Sequence, residues 1–425
     1  MSRTTRVEWP AHGVETLPWQ QQVRGGTRED RMTRSVDATI PPFIAELDYE
    51  PSLAEMIASE RALLAVAQAD TDAEGHSAAL SRFMVRSESA ASSKIERIDA
   101  TARDYAKAIA GHKGNSSATS MVAASRALHE LITTVGEAGR FELEFLLSAH
   151  RALMTDEPNE ADYAGRIRDM QNWIGGSDHS PRGALHVPPA PARVDALMED
   201  LLAYLNRDDV PALVQAAIGH AQFESIHAFT DGNGRIGRAL VSAVLRRRGV
   251  TKNAVVPLAS GLLARREDYF EALDSYRVGD AAPLLLLFAH SARVAATASR
   301  ETIARLKAMP DEWRSEIKPR AGSAAEVLIA AFYDHPVMSV REIDAATAGT
   351  TTSQAYRVID RLVDAGFLEE ITGRKKDRVW AASEVLAELD DLDRRIQDVM
   401  KAESPRAAAP SPGARERGRS SRVLA

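Results

Sequence analysis

The sequence predicts a mainly α-helical protein with two small hairpins, and three observations carry this. Aromatic residues make up 5% of the 425 residues while hydrophobic residues make up 44%. A core built from Ala, Leu, Ile and Val suits helices better than sandwiches. Apolar residues recur three and four apart over most of the chain, the helical period. Extended character is confined to two stretches, 165–189 and 366–380, each folded around a polar turn.

Length alone suggests about three domains. The net charge of −7 and pI near 5.9 give no global drive toward nucleic acid. There are no cysteines, which excludes disulfides and thiolate metal sites and fits a reducing interior. No apolar run is long enough to span a membrane, and the first residues lack the apolar stretch of a secretory signal. The expectation is a cytoplasmic protein without membrane contact.

Residues 1–35 are polar, Arg-rich and aperiodic, and are expected to be flexible. Residues 36–140 then form a helical region. Leu53, Met56, Ile57, Leu63, Leu64 and Val66 mark one helix, and a longer one is expected from about 79 to 110. Gly111 to Ser117 is a loop, and helices resume over 118–136 and 141–154. Gly165 to Pro189 breaks the pattern and reads as a hairpin around Ser177-Asp-His-Ser-Pro181. Helices return over 192–206, 211–248, 266–276 and 281–308, closing a core over 141–309. Pro310 to Ala321 reads as a linker. Beyond it, 322–385 holds a helix from Ala324, a capping box at Ser339–Glu342, a helix after Thr351 and the second hairpin. A last helix spans 383–402, and 403–425 has the composition of a disordered tail.

The chemistry concentrates in His227-Ala-Phe-Thr-Asp-Gly-Asn-Gly-Arg-Ile-Gly-Arg238. Helical patterns flank the run, so it is a loop between two helices. No strand precedes it, which argues against dinucleotide or P-loop readings of its glycines. A glycine turn frees backbone N–H groups to face an anion, and the helix start behind it adds more with a positive dipole end. Arg235 and Arg238 are three apart and share a helix face. Asp231 is an oxygen ligand that Mg²⁺ accepts alongside phosphates. His227 is suited to taking a proton near neutral pH. Phe229 is read as a loop anchor, and His150, His220 and Glu224 as structural.

This run resembles the signature H-x-F-x-D/E-G-N-G/K-R-x-x-R of the Fic family, the Fic/Doc-type nucleotidyl transferases. His227, Phe229, Asp231, Gly232, Asn233, Gly234, Arg235 and Arg238 match, and Ala228 stands where proline is usual. The resemblance implies a Fic-type helical core in which 165–189 is the flap that holds a target segment. It implies transfer of AMP from ATP to a Tyr, Ser or Thr hydroxyl of a target protein that the sequence does not identify. His227 would be the base and Asp231 the Mg²⁺ ligand. Gly232, Asn233 and Gly234 would hold the α- and β-phosphates, with Arg235 at the β-phosphate and Arg238 at the γ-phosphate.

Ser92-x-x-x-Glu96 resembles the family's inhibitory motif, S/T-x-x-x-E-G/N, in which the glutamate pairs with the second signature arginine, here Arg238. Arg97 departs from the Gly or Asn usual at the next position. Residues 322–385 resemble a winged helix-turn-helix domain, with Gln354, Tyr356, Arg357 and Arg361 on the helix that would meet DNA and Arg374, Lys375 and Lys376 on the wing. A chain ending near Met309 is expected to fold and keep its activity. A homodimer is a further expectation. Alternatives are AMP removal or another nucleotide donor at the same site, or a DNA-binding regulator whose Fic site senses nucleotide. Gly234 disfavours the kinase-like relatives, which carry Lys there.

Overall fold

The computed structural model describes residues 9–21, 24–112, 114–348, 351–374 and 376–403. The chain opens with strand β1 (Gly13–Pro18), a short helix α1 (Arg28–Met32) and strand β2 (Ser35–Ile40). The strands pair antiparallel, Gly13 opposite Ile40 and Pro18 opposite Ser35. This corrects the expectation of a structureless 1–35, whose first eight residues lie outside the described set. β2 alternates polar Ser35, Asp37 and Thr39 with apolar Val36, Ala38 and Ile40, and its pairing with β1 and the burial of Ala38 order the two strands together.

Helices α2 (Leu53–Asp72), α3 (Ser77–Ile95), α4 (Ala102–Ile109), α5 (Ser116–Ala138) and α6 (Leu143–Met154) follow. The single helix expected over 79–110 is in fact two. Ile98 N–H bonds Ser93 C=O and Arg97 N–H bonds Lys94 C=O, which closes α3 as a Schellman turn. Thr101 then caps α4 by accepting from Asp104 N–H. Glu96 therefore sits at a helix end rather than mid-helix.

Beyond the segment 155–190 come α7 (Pro191–Leu205), α8 (Ala212–Ile226), α9 (Asn233–Arg247), α10 (Leu258–Ala264) and α11 (Arg266–Arg277). Every residue of α8 is buried, which makes it the centre of the bundle. It packs on α7, α9 and α12 (Ala282–Ile317), while α2 lies along α12 and α5 bridges α6 and α9. Among the described residues, the hairpin expected at 165–189 is reduced to one bridge, Ile174 to His186. Pro188 and Pro189 have no N–H to extend a ladder, and the Val187 carbonyl is taken by Thr39 N–H of β2 at 2.8 Å.

The expected linker at 310–321 is also corrected, because α12 runs through Pro310 to Ile317. Leu306, Met309, Pro310, Trp313 and Ile317 are buried on one face, and this burial outweighs the hydrogen bond that Pro310 cannot make. Then come α13 (Ala324–Asp334), β3 (Val337–Ser339), α14 (Val340–Ala346), α15 (Thr352–Asp364), β4 (Leu368–Glu370) and β5 (Val379–Ala382). The strands form an antiparallel sheet in the order β3-β5-β4. The last helix, α16 (Ser383–Ala402), returns to pack on α3, α10 and α12. One hydrophobic core takes in both Phe229 and Phe332, so this region is continuous with the bundle. The expected tail beyond residue 403 lies outside the described residues.

Candidate active site

The site is built where α8 ends and α9 begins. His227 caps α8 with left-handed backbone (φ 51°, ψ 59°), and its N–H bonds Phe223 C=O at 2.9 Å. That conformation turns the chain sharply into the loop. Phe229 is fully buried and stacks on His150, with ring centroids 3.8 Å apart. The His150 ring accepts from Gly165 N–H at 2.9 Å and bonds the Asp231 carbonyl at 3.0 Å. Its pKa is lowered to about 4, mainly by burial, which suits this neutral bracing role.

Gly232 is left-handed (φ 77°) at the N-cap of α9. A Cβ there would lie 3.0 Å from Leu153, so glycine serves both the turn and the close approach. The first-turn N–H groups of α9 then have no acceptor within the helix and make an anion-receptive end. The side-chain amide of Asn233 reaches back to the backbone of Phe229. It accepts from Phe229 N–H and donates to Phe229 C=O, both at 2.8 Å. Its side chain therefore helps to close the loop.

Both signature arginines are buried beside this helix end. Arg235 donates to Ser120 Oγ at 2.9 Å and lies 3.7 Å from Asp231 Oδ2. Asp231 keeps 59% of its side chain exposed, which leaves it open to a cation. Arg238 donates through Nε to Ser92 Oγ at 2.8 Å, and through its terminal nitrogen to the Ser92 carbonyl at 3.0 Å and to Glu96 Oε1 at 2.6 Å. Burial opposes the Arg238 charge, but Glu96, Tyr269 and Glu224 more than offset this and raise its pKa. For Glu96, burial is outweighed by Arg238, Arg235 and His227, so its carboxyl is held below the usual range. A Cβ on Gly234 would collide with Glu96 Oε1, so the carboxylate lies directly over the first turn of α9.

His227 itself is partly buried. Burial, Arg168 and Arg277 lower its pKa to about 4 against the opposing pull of Glu96, so the imidazole is neutral at pH 7. Glu88 and Glu224 are buried nearby and pushed up to about 7, mainly by burial. His220 is buried with Nε2 2.8 Å from Tyr269 Oη. The structure thus gathers Ser92, Glu96, His227, Asp231, Gly232, Asn233, Gly234, Arg235 and Arg238 around one helix end. Arg168 and Ser120 were not anticipated. Arg166 and Arg168 are alike as sequence, and only Arg168 is buried against the loop.

Residues 140–245 match the model of the Fic/DOC family, and the chain carries a Fic domain. It is 31% identical over 157 residues to protein adenylyltransferase Fic of Nematostella vectensis, covering 36% of this chain and 33% of that protein. Protein adenylyltransferase fic-1 of Caenorhabditis elegans is 28% identical over 153 residues, 35% of this chain and 27% of that protein. The chain thus spans about a third of these relatives. A Fic family protein from Desulfovibrio desulfuricans G20 shares the fold, with a TM-score of 0.51 at 21% identity, over 79% of this chain and 97% of that one.

Proposed function

We propose that the protein transfers AMP from ATP to a hydroxyl of a protein side chain, and that Glu96 restrains the reaction. One observation carries the reading: His227 ends α8 at the loop that opens α9, and the N-terminus of α9 is flanked by two buried arginines with the Glu96 carboxylate already seated over it. The N–H groups of Asn233, Gly234 and Arg235 would receive the α- and β-phosphates and stabilise charge as the α-phosphorus is attacked. Arg235 would neutralise the β-phosphate and Arg238 the γ-phosphate. His227 would accept the proton of the attacking hydroxyl, and pyrophosphate would leave in line. A single exposed carboxylate suits Mg²⁺, which takes most of its ligands from water and phosphate, so Asp231 would hold it. Bound there with ATP, Mg²⁺ would neutralise charge on the phosphates.

His227→Ala should abolish labelling of protein from α-labelled ATP while ATP affinity, measured by calorimetry, stays near the parent value. Labelling at the parent rate would remove His227 from the chemistry.

For residues 324–382 the reading is a winged helix. Three helices and a three-stranded sheet support it. Arg361 donates to the Ile317 carbonyl at 2.8 Å, and Tyr356 packs edge-on against Trp380. This leaves Gln354 and Arg357 outward on α15, with Arg374 and Lys376 on the β4–β5 turn. Lys375 lies outside the described residues. If DNA binds here, affinity should fall steeply with salt and depend on these residues.

A further inference from the structure

Arg168 is 2% exposed, and among the described residues no carboxylate lies within ion-pair distance of it. Its hydrogen bonds go to backbone carbonyls. Nε donates to His227 C=O at 2.8 Å. One terminal nitrogen donates to Met170 C=O at 3.0 Å. The other donates to Pro189 C=O at 2.6 Å and Ile226 C=O at 3.4 Å. Its own N–H bonds Ala228 C=O at 3.0 Å. Two of the guanidinium's four acceptors, Ile226 and His227, end α8, where unpaired carbonyls and the negative dipole end favour a cation. The other two, Met170 and Pro189, bracket the segment that the Fic reading assigns to holding the target.

We propose that Arg168 is a positioning residue that ties both ends of segment 170–189 to the backbone of His227. The target hydroxyl and the base are then carried by one rigid unit. The fork of a guanidinium is what the job requires, since an ammonium has no fixed spread of donors with which to span four carbonyls. Misplacement of reacting groups by about 1 Å costs roughly 100-fold in rate. The proposal rests on the adenylyl-transfer reading for its consequence, but not for its geometry.

A second effect follows from charge. The groups facing His227 are Arg168, Arg277 of α11, Glu96 at the end of α3, His186 at the far end of the segment and the Glu224 carbonyl of α8. Arg168 is among those that hold the imidazole neutral, and its own pKa, lowered to about 10 by burial, keeps it charged at pH 7.

The test uses Arg168→Lys and Arg168→Gln in the full chain. Three quantities are measured: ATP affinity by calorimetry, transfer from α-labelled ATP across pH, and the His227 imidazole titration by NMR, assigned by its loss in His227→Ala. Both variants should keep ATP affinity within about threefold and lose about 100-fold in kcat. The His227 titration, and with it the acid limb of the rate profile, should move to higher pH in Arg168→Gln and much less in Arg168→Lys. A folded Arg168→Lys with kcat within about threefold of the parent overturns the proposal. So does a loss of rate matched by equal losses of ATP affinity and thermal midpoint with the His227 titration unmoved, since that is the signature of a merely structural residue. Should Arg168→Gln fail to fold, the rate and ATP affinity of Arg168→Lys decide the matter. If the parent transfers no AMP, the functional reading fails alone, and the NMR titration still judges the contact between Arg168 and His227.

Discussion

Arg97 has left-handed backbone, with φ at 62°. Glycine and asparagine enter that region at little cost, whereas other residues lose about 1–2 kcal/mol. Gly or Asn would fit this position with less strain, because it is the C′ residue of a Schellman turn. Arginine adopts the same conformation and leaves Glu96 on Arg238, so the departure is strained rather than fatal. Arg97→Gly should raise stability by about 0.5–1 kcal/mol, since relief of strain exceeds the entropy that glycine adds to the unfolded chain. Urea midpoints compare the two, and a lower midpoint in the variant would contradict the strain argument.

Glu96 carries the second residue-scale prediction. Its carboxylate occupies both the guanidinium of Arg238 and the space over Gly234. Glu96→Gly should free both and raise AMP transfer by at least tenfold, roughly the effect of restoring one charged contact to the transition state. Adding Arg238→Ala should cancel the gain. Equal labelling by the parent and a folded Glu96→Gly would show that the carboxylate obstructs nothing.

Among the elements, α12 connects most of the molecule. It packs along α2 and also against α13 and α16. Thr302 donates to Glu388 of α16 at 2.7 Å, Arg305 pairs with the same carboxylate at 2.7 Å, and Trp313 donates to Glu384 at 2.8 Å. Leu392, Ile396 and Met400 of α16 are fully buried. A chain ending at Met309, expected from its sequence to fold by itself, would lose these contacts and the last turns of α12. Each such apolar side chain contributes about 1.5–3 kcal/mol, so the loss approaches the whole stability of a typical domain. Such a chain should melt well below the full protein or precipitate. Equal midpoints would mean that the C-terminal helices add nothing to the bundle.

For the whole molecule, buried titratable groups predict how stability varies with pH. His12, His150, His186, His220 and His227 are lowered from 6.5 to between about 2 and 4, mainly by burial. Between roughly pH 4.5 and 6.5 the unfolded chain binds protons at these histidines and the folded chain does not, so stability is lost as pH falls. Glu88 and Glu224, raised to about 7, act oppositely over the same window because the folded state holds their protons. Five groups outweigh two, so stability should climb as pH rises from 4.5 to 6.5. Urea unfolding at pH 4.5, 5.5 and 6.5 measures this, and a flat or falling trend would mean that these histidines are not neutral in the folded state.

The sequence by itself determined the helical class and the loop between two helices. Those features rest on local spacing: residues 227–238 share one loop and one helix start, and periodicity fixes the flanking helices. Only the tertiary structure decided where the partners from afar would fall. Glu96 reaches Arg238 because a left-handed residue ends α3 beside the start of α9. Asn233 turns inward to Phe229, a choice its side chain could make only once the loop had closed. Arg168 differs from Arg166 solely in which one meets the end of α8. Pro310 reads as a breaker in isolation, yet it sits inside a helix because burial on both sides of it outweighs one missing hydrogen bond. The paired strands near the N-terminus are short, and their order comes from pairing with one another and from the bond between Thr39 and Val187, far apart in sequence.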